Sequence, residues 1–302
     1  MFKIKENFPL YPYTNYKIGG QARYFCIVKN EKELAKAILF TQKEKLPLFI
    51  LGGGSNILVS DKGFHGLVIK TNFSDVRIKE NKIIAGSGVS LSHILKLTIE
   101  ERLTGLEWAA GIPGTLGGAI RGNAGAFGSE IGDNIESIRL FDDKKLEVKE
   151  LKNKNLGFGY RTSLVKEKGG VITEAVLSLE KETIDNLDIE NKVKEYIDYR
   201  KKNQPLEYPS CGSVFKGVNG KKIKSIKTEG RIISAGILIK KTGLSGVKIG
   251  DAQISEKHAN FIINLGKAKA KDVFSLIRLC RKRVKEKFNV DLELEVELVG
   301  DF

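Results

Sequence analysis

The chain has 302 residues, of which 41% are hydrophobic and 29% charged, a composition typical of a globular protein with about two domains. Its formal charge of +14 is spread along the sequence, and the densest basic runs, 221–227 and 281–287, lack the interleaved aromatic residues of nucleic-acid-binding surfaces. We therefore expect no nucleic-acid partner. The sequence has neither a secretion signal nor an apolar run of membrane-spanning length, so we also expect no membrane insertion and a cytoplasmic location.

The three cysteines, Cys26, Cys211 and Cys280, are widely separated and form no CxxC pair. Their spacing favours reduced thiols over a disulfide framework or a zinc site, and the histidines also lack metal-ligand spacing. We therefore predict that the protein binds no metal. Cys211 lies in a loop beside Gly212 and Ser213, but no histidine is close enough in sequence to support a role as nucleophile.

The first elements predicted are a helix at 31–44 and a buried strand at 47–51, which leads into the glycine turn GGGSN at 52–56. The residues after this turn, 57–70, are typical of another strand. That order excludes a Rossmann fingerprint, which needs strand, glycine loop and helix in succession. The apolar residues that share one face of the first helix are Leu34, Ile38 and Leu39.

Further elements follow along the rest of the chain. Ser90 or Ser92 is the candidate amino-terminal cap of a helix at 91–103. The other predicted elements are strands at 66–70, 76–79, 82–88, 135–141 and 171–179, helices at 188–202 and 270–288, and a last strand at 290–299. Strict alternation in the last strand predicts one apolar face and one acidic face. The acidic face would carry Glu293, Glu295 and Glu297.

Residues 111–128, GIPGTLGGAIRGNAGAFG, contain seven glycines and a single charged residue, Arg121. Because glycine has no Cβ, successive N–H groups of such a segment can turn towards one anion. Pro113 and the interleaved apolar residues distinguish the segment from a flexible linker. The segment therefore predicts a ligand cradle, and a diphosphate is its natural occupant.

Six separated motifs lie in the order of one known family. They are YTNYKIGG (13–20), LGGGSN (51–56), GLEWAAGIPGTLGGAIRGNAGAFG (105–128), FGYRTS (158–163), QPLEYPSCGSVFK (204–216) and KHANFIIN (257–264). Over nearly its whole length the chain resembles the UDP-N-acetylenolpyruvoylglucosamine reductase (MurB) family, in its shorter type II form. The resemblance implies an α+β protein. FAD-binding subdomains of the vanillyl-alcohol-oxidase (PCMH) type are expected at 1–70 and 71–200, and an α+β substrate-binding domain at 201–302.

The activity implied by the resemblance is an NADPH-dependent reduction that uses noncovalently bound FAD. The substrate would be UDP-N-acetylglucosamine enolpyruvate and the product UDP-N-acetylmuramate, a precursor of peptidoglycan and therefore of cell-wall biogenesis, cell shape and cell division. We expect a monomer with the UDP-sugar and NADPH as its ligands. The alternative is a FAD-dependent sugar or alcohol oxidase of the same fold. Such oxidases often tether flavin through a histidine or cysteine, and GGGSN has neither beside it.

The resemblance also assigns residues to roles. Arg161 matches a catalytic arginine that binds the substrate carboxylate, Ser213 matches the proton donor, and Glu295 matches a glutamate that orients or polarises the carboxylate. The residues expected to contact substrate are Tyr160, Lys201, Gln253 and Asn260. The residues expected to contact the cofactor are Gly52, Gly53, Gly54, Ser55, Asn56, Gly111, Ile112, Pro113, Thr115, Gly117, Gly118, Asn123, Gly125 and Ile172.

Several of these assignments have structural alternatives. Either Lys201 or Lys202 would steady the Ser213 alkoxide, and the family pattern favours Lys201. A solvated row of carboxylates on an edge strand would explain Glu295 together with its two neighbours. Ile172 is equally well explained as strand core. His258 lies in the matched motif with Asn260, and it is explained as well by a structural role as by ligand contact. Gly217 and Val218 stand where the family commonly has Asn-Pro after GSVFK, and the lysine-rich stretch that follows is longer than the family pattern. This insertion, 217–233, predicts an extended loop or hairpin whose lysines are solvated or contact a diphosphate.

Overall fold

The computed structural model describes residues 2–181, 189–223 and 231–302. The chain divides into two compact units, each with helices and strands. Unit 1 comprises Met1–Glu6, Tyr24–Gly53 and Gly66–Arg200, and unit 2 comprises Asn7–Arg23, Gly54–His65 and Lys201–Phe302. Unit 2 thus contains the predicted substrate-binding domain and two amino-terminal segments. The division of the chain into three domains at 70 and 200 stays a prediction.

The helices and strands have the following bounds. The helices are α1 (Glu31–Glu44), α2 (Leu91–Glu100), α3 (Leu116–Gly122), α4 (Leu164–Lys168), α5 (Ile189–Asn203), α6 (Ala235–Lys241) and α7 (Ala270–Phe288). The strands are β1 (Lys5–Pro9), β2 (Gln21–Val28), β3 (Leu48–Leu51), β4 (Ile57–Val59), β5 (Phe64–Thr71), β6 (Val76–Lys79), β7 (Lys82–Gly86), β8 (Leu103–Thr104), β9 (Gly125–Ala126), β10 (Ser129–Glu130), β11 (Ile135–Asp142), β12 (Glu147–Lys152), β13 (Val171–Ser178), β14 (Glu180–Lys181), β15 (Val218–Asn219), β16 (Ile232–Ile233), β17 (Lys248–Ile249), β18 (Ala252–Ile254), β19 (Ile262–Asn264) and β20 (Glu297–Val299).

Unit 1 is built on an antiparallel sheet in which the described strands follow the order β12-β11-β13-β7-β6. One buried cluster joins this sheet to α2 and α3 through Ile83, Ile94 and Leu116. Ser90 caps α2, since its side chain accepts a hydrogen bond from the backbone of His93 at 3.2 Å. Of the two predicted caps, Ser90 is therefore the correct one.

A second cluster in unit 1 packs α1 against strands β3 and β5, which pair in parallel. Leu34 and Ile38 are buried in this cluster as predicted, but Leu39 is 48% exposed. The prediction for Leu39 is wrong. Ala37 and Thr41 complete the buried face of the helix instead, because each lies three residues after a buried member of that face, Leu34 or Ile38. Strand β4, and no helix, follows the first glycine turn, so the exclusion of a Rossmann fingerprint is confirmed.

The glycine-rich segment contains a helix that the sequence interpretation missed. Residues 116–122 form α3, whose Leu116, Ala119 and Ile120 are buried at helical spacing. Three apolar residues on one face therefore outweigh the low helix propensity of the glycines. The helix ends at Asn123, which adopts a left-handed conformation with φ 44°.

Unit 2 packs α6 and α7 on strands β17-β18-β19, with Val273, Ile277 and Val284 of α7 in its core. The predicted last strand is too long, because only β20 is a strand, paired in parallel with β4. Before β20, the carbonyl of Val214 accepts hydrogen bonds from the backbone of both Glu295 and Val296, at 2.9 and 3.3 Å. This two-to-one pairing interrupts the alternation, so the three glutamates do not form one row.

Within the described residues, no helix combines the length and the apolar character needed to cross a membrane. The lysine-rich insertion is described only in part. Its first residues form β15 and a short turn of 3₁₀ helix, Gly220–Lys222, and β15 pairs with β16. Lys221 of the insertion is exposed, and residues 224–230, on which the rest of the prediction of lysine contacts falls, lie outside the described residues.

Candidate active site

The two glycine turns predicted to form one cradle contact each other in unit 1. A Cβ on Gly53 would lie 2.7 Å from the Cα of Gly114, and a Cβ on Gly52 would lie 2.7 Å from Oγ1 of Thr115. No real side chain tolerates such distances, so this close approach requires glycine at both positions. Backbone groups of residues 52–53 and 114–115 are therefore presented side by side.

Lys70 lies at the first glycine turn, although its sequence context gave no indication of this. Strands β3 and β5 are parallel with Leu51 opposite Lys70, so the end of β5 lies beside the residue that precedes the turn. The ammonium of Lys70 donates a hydrogen bond to the Gly52 carbonyl at 2.9 Å. Burial lowers the pKa of Lys70. The parallel register is the physical reason for this contact, and the local sequence does not encode it.

Two hydroxyl groups near these turns are buried without a hydrogen-bond partner among the described residues. They are Oγ1 of Thr115 and Oγ of Ser87. Ser87 lies against α3, since its carbonyl accepts a hydrogen bond from the Gly117 backbone at 2.9 Å and a Cβ on Gly117 would lie 2.8 Å from the Ser87 Cβ. Buried hydroxyls normally have a partner, and a bound polar ligand is one way to provide it.

The remainder of the first turn belongs to unit 2. Gly54 has φ 66°, and a Cβ there would collide with the Tyr13 carbonyl, which explains why the YTNYKIGG and LGGGSN motifs occur together. Asn56 connects the turn to the carboxyl-terminal segment. Its side chain donates to the Glu295 carbonyl at 2.9 Å, and its carbonyl accepts from the Glu297 backbone at 3.0 Å. Ser55, the residue between them, is half-buried.

Arg161 sits at the corner of a tight turn in unit 1. Gly159 and Thr162 exchange backbone hydrogen bonds at 3.2 and 3.1 Å, which leaves Tyr160 and Arg161 as the two corner residues. Arg161 has φ 59°, a left-handed conformation that is unfavourable for a residue with a long side chain. Helix-ending residues such as Lys45 and Asn289 share this conformation, so it defines the shape of the turn and does not by itself mark Arg161 as functional.

Backbone carbonyls hold the Arg161 guanidinium. Nη2 donates to Gly125 O at 2.8 Å and Nη1 to Asn123 O at 3.4 Å, while the guanidinium carbon lies 5.2 Å from the centre of the Tyr160 ring. The Asn123 side chain is fully buried, and it donates to Gly159 O at 3.0 Å and accepts from the Gly132 backbone at 3.1 Å. Asn123 and Gly125, both predicted to contact the cofactor, therefore also hold the Arg161 turn.

Unit 2 brings together the segments that carry Ser213 and Glu295. Residues 214–216 pair with 293–296: Glu295 N donates to Val214 O at 2.9 Å, and Lys216 N donates to Glu293 O at 2.9 Å. Glu295 is half-buried on this ladder, whereas the side chain of Glu293 is 69% exposed and pairs with Lys216 at 3.5 Å. Ser213, which is also half-buried, directly precedes Val214.

Asn260 fixes the backbone that follows Ser213. Its side chain accepts from Phe215 N at 3.0 Å and donates to Phe215 O at 2.8 Å, and its own carbonyl accepts from Val214 N at 2.8 Å. His258 accepts a hydrogen bond from the Asn260 backbone at 3.3 Å, and burial lowers the pKa of His258. Gln253 is further away in the sheet and donates to the Gly246 carbonyl at 3.1 Å.

The remaining predicted residues have simple environments. Lys201 is exposed and its carbonyl accepts from the Lys257 ammonium at 2.6 Å; Ile172 lies in the unit 1 core at 5% exposure. Tyr160 is 43% exposed. Burial raises the pKa of the Cys211 thiol to about 12, so it stays protonated at neutral pH and is unsuited to nucleophilic attack.

Two family models match the chain. The FAD binding domain matches residues 22–151, and the C-terminal domain of UDP-N-acetylenolpyruvoylglucosamine reductase matches residues 204–299. The reductase of Caldanaerobacter subterraneus subsp. tengcongensis is 42% identical over 99% of this chain and 94% of its own length. The chain belongs to the UDP-N-acetylenolpyruvoylglucosamine reductase family. The reductase of Listeria innocua is likewise 42% identical, over 99% of this chain and 95% of its own length.

A solved structure agrees with this membership. The reductase (MurB) of Thermus caldophilus has a TM-score of 0.82 and 34% identity, and the match covers 99% of this chain and all of that one. The protein is therefore an FAD-dependent oxidoreductase, and its predicted α+β fold with an FAD-binding domain is confirmed. The residues present fit FAD, because the two glycine turns meet closely, a lysine lies beside them and two buried hydroxyls have no partner in the part of the chain that the structure describes.

Proposed function

We propose that the protein uses NADPH to reduce the enolpyruvyl ether of UDP-N-acetylglucosamine enolpyruvate to the lactyl ether of UDP-N-acetylmuramate, a step of peptidoglycan precursor synthesis. The observation that supports this most directly is the ladder between residues 214–216 and 293–296, which places Glu295 next to the residue that follows Ser213. A proton donor and a carboxylate-orienting group belong together in this reaction. The cytoplasmic location and the monomeric state stay predictions.

The glycine turns would hold the cofactor. When bound, FAD would supply the hydride chemistry that links NADPH to the terminal methylene carbon of the substrate. Backbone N–H groups of 52–56 and 111–118 would bind the pyrophosphate, with Ser55, Asn56 and Thr115 adding side-chain hydrogen bonds. The ammonium of Lys70, held at the Gly52 carbonyl, would place a positive charge beside this anion.

Replacing Lys70 by methionine should weaken FAD binding. A hydrogen bond to a charged group contributes about 1.5–3 kcal/mol, so the Kd for FAD should rise roughly tenfold or more. Titration of the deflavinated protein with FAD, followed by quenching of flavin fluorescence, measures this change. Lys79→Met, on the exposed end of β6, is the matched control. An unchanged Kd in Lys70→Met would remove Lys70 from the cofactor site.

Arg161 would stabilise the charge that hydride arrival creates. An enol ether is a poor hydride acceptor, so the adjacent carboxylate must take up the new negative charge as an enolate-like dianion. A guanidinium presents a planar fork that matches a carboxylate, and it stays charged at any physiological pH. The carbonyls of Asn123 and Gly125 orient this fork before substrate arrives, and such preorganisation lowers the barrier.

Ser213 would complete the reduction by protonation. Hydride delivered to the methylene carbon leaves the electron pair of the former double bond on the adjacent carbon, and the Ser213 hydroxyl gives its proton there. The resulting alkoxide regains a proton from solvent, with Lys201 as the group that we expect to steady it. A hydroxyl is a weak acid, and it suffices here because the carbanion is strongly basic.

Glu295 would orient the carboxylate end of the substrate, and its neighbour offers a matched control. Glu295→Gln should lower kcat about a hundredfold, the cost typical of misplacing a reacting group. Glu293→Gln should stay within about twofold of the wild type, because exposed ion pairs contribute little. Steady-state rates of NADPH consumption with substrate present measure both. Equal effects of the two substitutions would contradict a specific role of Glu295 in substrate reduction.

The overall proposal is tested by incubating the purified protein with NADPH and UDP-N-acetylglucosamine enolpyruvate. NADPH consumption should depend on the enolpyruvyl sugar, and mass spectrometry should show a product that has gained two hydrogens. Consumption of oxygen with a simple sugar or alcohol, without NADPH, would instead support an oxidase of the same fold.

A further inference from the structure

Phe127 occupies an unusual place at the end of the glycine-rich segment. It lies in the turn between β9 and β10 with φ 55°, a left-handed conformation that residues other than glycine, asparagine and aspartate seldom adopt. The side chain is 39% exposed, so burial in a core does not explain it. Contacts with helix α5 are what keep this aromatic residue in place.

Three side chains of α5 surround the ring of Phe127. Tyr196 stacks on it with centroids 4.0 Å apart and planes inclined by 10°, and Tyr199 meets it edge-on at 5.4 Å. The guanidinium carbon of Arg200 lies 5.2 Å from the ring centre. Stacked, edge-on and cationic contacts with one ring restrict its translation and its tilt.

Arg200 also holds the beginning of the same glycine segment. It is 8% exposed, and it donates to Ala110 O at 2.7 Å and to Trp108 O at 3.4 Å. A Cβ on Gly111 would lie 2.9 Å from the Arg200 Cδ. Helix α5 therefore contacts residues 110–111 at one end of the segment and Phe127 at the other, and it closes the segment into a loop of defined size.

The hairpin that carries Phe127 also holds the Arg161 guanidinium. Glu130 pairs with Gly125 and Ser129 with Ala126, so Phe127 lies at the tip of the hairpin whose first strand carries the Gly125 carbonyl. That carbonyl accepts the hydrogen bond from Arg161 Nη2 at 2.8 Å. A continuous path of packed groups thus leads from α5 through Phe127 and Gly125 to Arg161.

We propose that Phe127 is a positioning residue for Arg161, holding the hairpin on α5 so that the Gly125 carbonyl orients the guanidinium. This rests on the proposed role of Arg161 in substrate reduction. Phe127 itself contacts neither reacting carbon in this scheme. Its removal should therefore impair the step in which substrate is reduced and leave the reaction with NADPH intact.

A double-mutant cycle between Phe127 and Arg161 tests the proposal. Phe127→Ala should slow reoxidation of the flavin by the enolpyruvyl sugar about tenfold, with the rate of flavin bleaching by NADPH changed by less than about twofold. In an Arg161→Ala background, adding Phe127→Ala should slow flavin reoxidation by less than about a further twofold, because Phe127 acts through the residue that is already removed. Leu39→Ala, a similarly exposed apolar residue on α1, is the control.

Conservative variants separate positioning from folding. Phe127→Tyr keeps the stacked ring and should restore the wild-type rate, whereas Phe127→Leu keeps an apolar side chain without the ring and should share the defect of Phe127→Ala. Rates are normalised to bound FAD, so partial unfolding does not mimic the effect. Equal slowing in the wild-type and Arg161→Ala backgrounds, or slowing of both half-reactions alike, would overturn the proposal. If Arg161→Ala alone leaves flavin reoxidation by substrate unchanged, the proposed role of Arg161 fails first.

Discussion

Replacing Ser213 by alanine should suppress substrate reduction while leaving the reaction with NADPH nearly intact. A positioned general acid contributes about 10²–10⁴ to a rate, so turnover with the enolpyruvyl sugar should fall by that factor. The flavin should still bleach at the wild-type rate on mixing with NADPH, since Ser213 has no part in that step. Stopped-flow absorbance under anaerobic conditions measures the two half-reactions separately.

Ser275→Ala is the control for this substitution. Ser275 is exposed on α7, where its hydroxyl donates to the Lys271 carbonyl at 2.8 Å. Ser275→Ala therefore removes the same hydroxyl group at a position distant in sequence from the 211–215 loop. Loss of flavin bleaching in Ser213→Ala would refute the assignment of Ser213 to protonation. Retention of full turnover would require another proton donor.

Replacing Arg161 by alanine should be nearly as damaging to substrate reduction. Loss of one preorganised group facing the developing negative charge costs about 10²–10³ in rate. Arg161→Lys should recover only part of this loss, because an ammonium keeps the charge but lacks the planar fork that matches a carboxylate. The rate of flavin reoxidation by substrate, measured across substrate concentrations, separates weaker binding from slower chemistry.

Arg77→Ala is a suitable control for Arg161, since Arg77 is 66% exposed and pairs with Glu174 at 2.6 Å in the same unit. Its removal should change neither half-reaction. A defect in Arg161→Ala that appears only in the reaction with NADPH would contradict the proposed role. The same conclusion would follow if the lysine variant restored the full rate.

Features that depend on local pattern could be predicted from the sequence. Helix α7 follows from apolar residues at helical spacing, and its bounds of Ala270–Phe288 agree with the prediction. The glycine turns also follow from local pattern, since glycines interleaved with proline and apolar residues are not typical of a flexible linker, and ligand binding by these turns stays a prediction. Their mutual contact at Gly53 and Gly114 is consistent with a single cradle.

Features that depend on pairing between distant segments were missed or mistaken. The alternation of 290–299 predicted one long strand, but the partner of this segment changes from Phe215 to β4, and the bulge at Val214 breaks the pattern. The contact between Lys70 and Gly52 cannot be predicted from local pattern, because only the parallel register of β3 and β5 produces it. The residues of a segment do not by themselves specify which distant strand it pairs with.

The candidate site also combines features that local motifs predict with features that depend on contacts between distant segments. Arg161, Ser213 and Glu295 were assigned by their motifs, and motif spacing says nothing of the left-handed turn that carries Arg161 or of the carbonyls that hold it. Both ends of the Asn260 amide bind the Phe215 backbone, and the predicted contact of Asn260 with substrate stays a prediction. A side chain can thus belong to a substrate-site motif because it shapes the loop.

The account depends on one flavin site that receives reducing equivalents from NADPH and delivers them to a sugar-borne double bond. Anaerobic mixing of the yellow protein with one equivalent of NADPH should bleach the flavin, and subsequent addition of UDP-N-acetylglucosamine enolpyruvate alone should restore the colour. Recovery of colour with oxygen but not with the enolpyruvyl sugar would contradict the account, as would a purified protein that binds no flavin.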